Sequence, residues 1–150
     1  MRLIIQRVSS AKVEIDNALF SSIDKGFLIF IGIEEDDNME DVSWLATKVI
    51  NMRLFADNDG KMNLDIQQLN GELLVVSQFT LHASTKKGNR PSFIKAARPE
   101  KAIPLYEAFI KELLKLSGKE IKTGRFGADM QVSLINDGPV TIFMDSKSRE

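Results

Sequence analysis

Phe27-Leu28-Ile29-Phe30-Ile31-Gly32-Ile33, opening directly after Gly26, is an unbroken apolar run. A strand with one wet face alternates polar and apolar residues, whereas one covered on both faces does not. The run is short enough for such a strand, and its place is near the centre of a sheet. Upstream, Leu3, Ile5 and Arg7 alternate with Ile4, Gln6 and Val8, and Val13 and Ile15 alternate with Lys12 and Glu14. That pattern predicts two strands near the N-terminus, the second half exposed.

Downstream, Glu34, Glu35, Asp36, Asp37, Glu40 and Asp41 form an acidic cluster that opens a helix from about Asn38 to Arg53. Acids suit the positive end of a helix, and Val42, Leu45, Val49 and Met52 recur at helical spacing to make a core-facing stripe. Asp57-Asn58-Asp59-Gly60 and Asn70-Gly71 read as turns, the second launching Glu72 to Leu81 as a strand with a polar end. Pro99 fits the first turn of a second helix that runs through Tyr106, Phe109, Leu113 and Leu116 and closes at Gly118, with Pro104 near its start. Ala128 to Ile135 and Val140 to Met144 read as strands joined by a turn at Asn136-Asp137-Gly138-Pro139, followed by a polar tail expected to fray. Strands with two helices between them predict an α/β (α+β) fold, a mixed sheet with both main helices packed on it. No repeat or linker divides the chain, so residues 1–150 are expected to form one domain.

The chain has 150 residues, 43% of them apolar, which suffices for a real core. Cysteine is absent, and with it disulfides, thiolate metal sites and thiol catalysis. The N-terminal segment is alternating and charged, so neither a signal peptide nor a membrane span is expected, and a cytoplasmic location follows. A formal net charge of −1 argues against coating nucleic acid by bulk electrostatics. Between His82 and Lys101, however, Lys86, Lys87, Arg90, Lys95, Arg98 and Lys101 face a single acid, Glu100. Such a patch can meet a phosphate backbone locally; an ordinary solvated loop accounts for it as well.

Motifs narrow the chemistry. There is no Gly-rich phosphate loop, no His-Glu-x-x-His helix and no Gly-x-Ser-x-Gly elbow. His82 is the only histidine and has no identifiable partner, a pattern that usually marks packing instead of a base. Ser77, Gln78, Phe79 and Thr80 put hydroxyls, an amide and backbone N–H groups at the end of an apolar strand, which are the materials of an oxyanion hole, although such hydroxyls also serve simply to satisfy local backbone groups. Gly138-Pro139 is the second candidate, since glycine permits close backbone approach and proline permits a cis bond; an ordinary hairpin turn is the alternative. With one histidine and no ligand cluster at metal spacing, no metal and no cofactor are expected.

Ser77-Gln78-Phe79-Thr80-Leu81 together with Asn136-Asp137-Gly138-Pro139-Val140-Thr141 resemble the two signature motifs of the D-aminoacyl-tRNA deacylase family. Gln6-Arg7-Val8, Gly60-Lys61-Met62-Asn63, Arg90-Pro91-Ser92-Phe93, Thr123-Gly124-Arg125-Phe126 and Asp129-Met130-Gln131-Val132 are similar to that family too, in order, over nearly the whole chain. The resemblance implies a compact β-barrel-like fold and a homodimer, with active sites where Gly138-Pro139 of one chain, in cis, enters the pocket of the other. It implies hydrolysis of the ester of D-aminoacyl-tRNA, and of Gly-tRNA mischarged on tRNA(Ala), as chiral proofreading in translation. Ser77, Gln78, Phe79 and Thr80 are then catalytic; Gly138, Pro139, Val140, Arg7 and Met130 bind substrate and select its hand, Arg7 by propping the partner's Gly-Pro turn. Lys86, Lys87 and Arg90 would contact tRNA, with neither DNA nor membrane as a partner. Two other readings stand beside it: a non-catalytic RNA-binding module, disfavoured by few exposed aromatics, and a hydrolase for other mischarged tRNAs.

Overall fold

The computed structural model describes residues 1–149. Its spine is strand β1 (Arg2–Ile15), which is one strand and not the two predicted. Nothing between Val8 and Val13 breaks an extended chain, and both halves pair with the same partner, β8 (Gln131–Asp145). The break comes at Asp16-Asn17, both with positive φ of 52° and 61°, as a tight hairpin with right-handed strand twist requires. It returns the chain as β2 (Ala18–Ile23) against Ala11–Ile15. The apolar run forms β3 (Gly26–Gly32), antiparallel to the first half of β1 and parallel to β6 (Glu72–Ser77). The central position read from its sequence is the one observed.

Helix α1 (Met39–Asn51) begins at Asn38, whose side chain accepts from Glu40 N–H while the Asp41 carboxylate accepts from Asn38 N–H. This reciprocal cap fixes the start that the acidic cluster suggested. Val42, Leu45 and Val49 are fully buried. A small hairpin, β4 (Phe55–Ala56) and β5 (Met62–Leu64), turns at Asp57–Gly60. Helix α2 (Pro99–Ser117) starts on Pro99 and ends at Gly118, which takes the left-handed conformation. Strand β7 (Lys122–Thr123) then lies parallel to β6.

The sheet runs β2-β1-β3-β6-β7 with β8 added on β1, and it nearly closes: Ser21 Oγ of β2 donates to Thr123 O of β7 at 2.7 Å. Two cores result. Leu3, Ile5, Phe27 and Ile29 pack against α1 and α2 through Leu45, Val49, Phe109 and Leu113. Val8, Val13, Leu28, Leu74 and Val76 fill the inside of the curved sheet. Each large side chain so buried contributes roughly 1.5–3 kcal/mol. The β3 run is apolar on both faces because it serves both cores.

Two expectations about the C-terminal third are corrected. Residues 136–139 do not turn the chain back: β8 continues through them, and Asp137–Val140 bulge out between the pairs Val8↔Asn136 and Gln6↔Thr141. The tail does not fray where it was expected to. Ser146 N–H donates to Met1 O at 2.9 Å and Lys147 Nζ donates to Asp41 Oδ2 at 2.8 Å.

Candidate active site

Strand β6 ends at Ser77, earlier than predicted, because Gln78 N–H makes the last bond of that edge, to Ile31 O at 2.7 Å, and the chain then coils into a 3-10 turn over Phe79–His82. The turn can sit on the end of β3 only because residue 32 is glycine. A Cβ there would lie 2.9 Å from Leu81 Cβ and 3.0 Å from Gln78 O. The turn's first N–H groups, those of Phe79 and Thr80, precede any carbonyl of their own helix, and Gln78 gives them no side-chain cap. Gln78 Nε2 instead donates to Thr80 Oγ1 at 2.5 Å, occupying a lone pair of that hydroxyl and leaving its proton free to donate.

Beside this turn lies a cavity of about 290 Å³ whose wall includes Ser77, Gln78, Phe79, Phe126 and Met130. Small residues, Ala97, Ala102, Gly127 and Ala128, also line it. Met130 Sδ rests in the notch left by Gly124, 2.5 Å from where a Cβ would stand. Tyr106, next to Phe126 at 5.8 Å, donates its hydroxyl to Val75 O at 2.9 Å and steadies β6 from behind. Burial pushes that phenol far above its ordinary range, so it stays protonated and is no base.

Gly138, Pro139, Val140 and Arg7 gather elsewhere and line none of this cavity. The Gly138-Pro139 peptide is cis, as the resemblance implies. Arg7 Nε donates to Asp137 O at 3.0 Å, its Nη1 donates to Leu54 O, and its guanidinium faces the Asp137 carboxylate at 3.4 Å. Arg7 thus braces the bulge of its own chain. Asn136 closes the bulge from the other side, accepting from Val140 N–H at 3.0 Å and donating to Thr141 Oγ1 at 2.9 Å. Gly138 and Pro139 are left exposed at its tip.

The basic segment 83–98 borders the cavity. Ser84 and Ser92 pair across its base, and Ala97 N–H donates to Ile33 O at 2.8 Å, so Lys86, Lys87 and Arg90 project from a fixed stem and are exposed. His82 is buried, its ring nitrogens make no hydrogen bond, and its nearest charge is Glu34, 3.8 Å from Nδ1. It therefore cannot serve Thr80 as a base in this arrangement.

A sequence model of the family described as D-Tyr-tRNA(Tyr) deacylase matches residues 4–145. The chain belongs to that family. D-aminoacyl-tRNA deacylase of Akkermansia muciniphila is 65% identical over 150 residues, and the protein of that name from Bacteroides thetaiotaomicron is 61% identical over 150 residues, each match covering 100% of both chains. A solved structure titled "c-Myc DNA Unwinding Element Binding Protein" is similar at a TM-score of 0.91 and 37% identity, covering 97% of this chain and 98% of that one. A probable eukaryotic D-amino acid tRNA deacylase shares the fold at a TM-score of 0.82 and 14% identity, over 95% of this chain and 97% of that one. The deacylase is a hydrolase of ester bonds acting on D-aminoacyl-tRNA.

In this deacylase the residues read from sequence fall into three places: Ser77, Gln78, Phe79 and Met130 at the cavity with Thr80 beside them, the Arg7 and Gly138–Val140 group on the β8 bulge, and the cations on the stem. Sequence reasoning gave no role to Gly32, Asn136, Ala97 or Ala102. For Asn136 a signal existed, since Asx side chains habitually bind backbone a few residues on. For the alanines there was none.

Proposed function

We propose that the deacylase hydrolyses D-aminoacyl-tRNA at a composite site, the cavity of one protomer completed by the Gly138-Pro139 tip of a second copy. The observation that carries this is the separation just described: the oxyanion donors and the Gly-Pro tip belong to the same signature set, yet the tip is exposed and lines none of its own chain's cavity. A second copy related by two-fold symmetry brings one to the other. Strand β8 suits that contact, since among the described strands it pairs only with β1 and it exposes Ile135 and Phe143, 62% and 57% accessible. A long edge strand with apolar side chains is normally covered.

Aminoacyl esters are already activated, so the site has to orient water and hold the tetrahedral oxyanion. Water adds to the ester carbonyl, the Phe79 and Thr80 N–H groups hold the resulting O⁻, and collapse expels the ribose oxygen, which leaves with a proton. The neighbouring ribose hydroxyl of the terminal adenosine assists that transfer. Thr80 does not attack, because the group bonded to its hydroxyl, Gln78 Nε2, is a donor, and the buried His82 makes no hydrogen bond to it.

Carbonyls of the partner's Gly138 and Pro139 bind the substrate amino group and occupy the space where an L side chain would project. A D side chain points outward, and glycine has nothing to exclude, so Gly-tRNA mischarged on tRNA(Ala) is a second substrate. Lys86, Lys87 and Arg90 meet acceptor-end phosphates without reading sequence. The role is chiral proofreading in the cytoplasm, within one domain spanning the chain. Purified protein should cleave D-Tyr-tRNA and Gly-tRNA and spare L-Tyr-tRNA; equal cleavage of both tyrosyl esters would refute the selection mechanism, and no turnover on any would point to a non-catalytic RNA-binding module.

A further inference from the structure

Phe79, at the cavity mouth, is 56% accessible and meets Phe93 edge to face, ring centres 5.1 Å apart. Phe93 is not on a loose loop: Ser92 pairs with Ser84 on one side, and Ala96 N–H closes a turn on Phe93 O at 3.0 Å on the other. Ile94 stands at the crest of that turn and is 90% accessible, more than any other large apolar side chain among the described residues. A fixed turn that holds an isoleucine in water, beside a half-exposed aromatic pair, is a surface awaiting an apolar face.

The charge around it says which kind. Lys86, Lys87, Arg90 and Lys95 are exposed on the same segment and no acid lies between them in the chain. Exposed apolar side chains on a segment that also carries four cations match an unpaired nucleotide, whose base stacks while its phosphate is neutralised. We infer that Phe93, Ile94 and the rim of Phe79 form a stacking platform for the unpaired nucleotides that immediately precede the aminoacylated terminal adenosine. This rests on the composite-site reading, which puts the ester at the cavity. The strand entering it must cross the cavity's rim, and there Phe79 lines the cavity with Phe93 of the cationic segment edge to face against it.

The test compares kcat/KM for D-tyrosyl-adenosine with that for the same ester on a trinucleotide of three unpaired nucleotides, using the full chain. Wild type should gain from the two added nucleotides. In Phe93→Ala that gain, as a ratio within the same variant, should fall about 5- to 100-fold, and Phe93→Trp should restore it. Ile94→Ser, which removes an exposed side chain and leaves packing alone, should reduce the gain to a smaller degree and keeps the test decisive if Phe93→Ala fails to fold. An undiminished gain in both variants overturns the platform while leaving the site reading intact. Failure of wild type on every ester overturns the site reading, and the platform with it.

Discussion

Arg7 Nε donates to the carbonyl oxygen of Asp137 at 3.0 Å, across a bulge that the β1–β8 ladder would otherwise close. The fork of Arg7 holds that carbonyl, the Leu54 carbonyl and the Asp137 carboxylate together, with its side chain only 13% accessible. A lysine donates from a single nitrogen and cannot span acceptors that sit on Nε and Nη1 separately. Arg7→Lys is therefore expected to lower stability by about 1–3 kcal/mol, read as a drop in thermal midpoint, and to lower turnover further than the same loss elsewhere would. Unchanged activity in a folded Arg7→Lys would show that the bulge needs no brace.

Gly138 has φ of 135°, and a Cβ on it would lie 2.9 Å from Arg7 Nη2 and 3.1 Å from Val140 N. Gly138→Ala must displace the tip, because the conformation excludes L side chains as surely as the crowding does. Turnover of the D-tyrosyl ester should fall well below wild type, because the displaced carbonyls no longer hold the substrate amino group, and discrimination between D- and L-tyrosyl esters should fall at least tenfold. Competition assays with matched esters measure this directly.

Gly32→Ala attacks the other half of the site without touching any donor. The new methyl would meet Leu81 Cβ, Gln78 O and the His82 ring, at 2.9, 3.0 and 3.1 Å, and so lifts the 3-10 turn off β3. Loss of one oriented donor costs about 10²- to 10³-fold in kcat in well-studied acyl-transfer sites. The expected effect is a fall of that order in kcat with a smaller change in KM.

Thr80→Val keeps the N–H of residue 80 and deletes the hydroxyl. Without a base for Thr80, the hydroxyl acts at most as one hydrogen-bond donor, and turnover should stay within about tenfold of wild type with no burst of free tRNA. A loss of several thousandfold would reinstate Thr80 as the nucleophile.

Acid should weaken the join between α1 and the tail. Burial alone would raise the Asp41 carboxyl, but hydrogen bonds from Lys147, Ser146 and the Asn38 N–H hold it down at about 2. A carboxyl depressed in the folded state adds stability above its unfolded value and loses it as pH falls. The contribution, about 2 kcal/mol before allowing for the solvent-open Lys147 end, should therefore disappear between about pH 4 and pH 2. Lys147→Met should flatten that limb of a stability-against-pH curve.

The helices were legible because their signals are local: Asn38 with Asp41 at one start, Pro99 at the other, Gly118 at an end. The central strand was legible because only burial on both faces tolerates Phe27 to Ile31. The Asn136–Pro139 segment misled because its residues suit a turn and a bulge equally, and the deciding partner, β1, is more than a hundred residues away. The same distance hides the near closure of the sheet, which depends on β7, two residues long, reaching Ser21 of β2. At the proposed site, polar residues ending an apolar strand drew attention to the segment whose Phe79 and Thr80 N–H groups lack a side-chain cap. The role of Gly32 was not, since in sequence it is one more small residue inside an apolar run.

Subunit complementation tests the composite site most directly. Gly32→Ala spoils the cavity and spares the tip, while Gly138→Ala spoils the tip and spares the cavity. Co-expressed with different tags and purified through both, the mixed dimer holds one site built from a sound cavity and a sound tip. D-Tyr-tRNA turnover, with L-Tyr-tRNA still spared, should rise to about half that of wild type, well above either parent. A mixed dimer no better than the mean of its parents would contradict the account and put cavity and tip to work within a single chain.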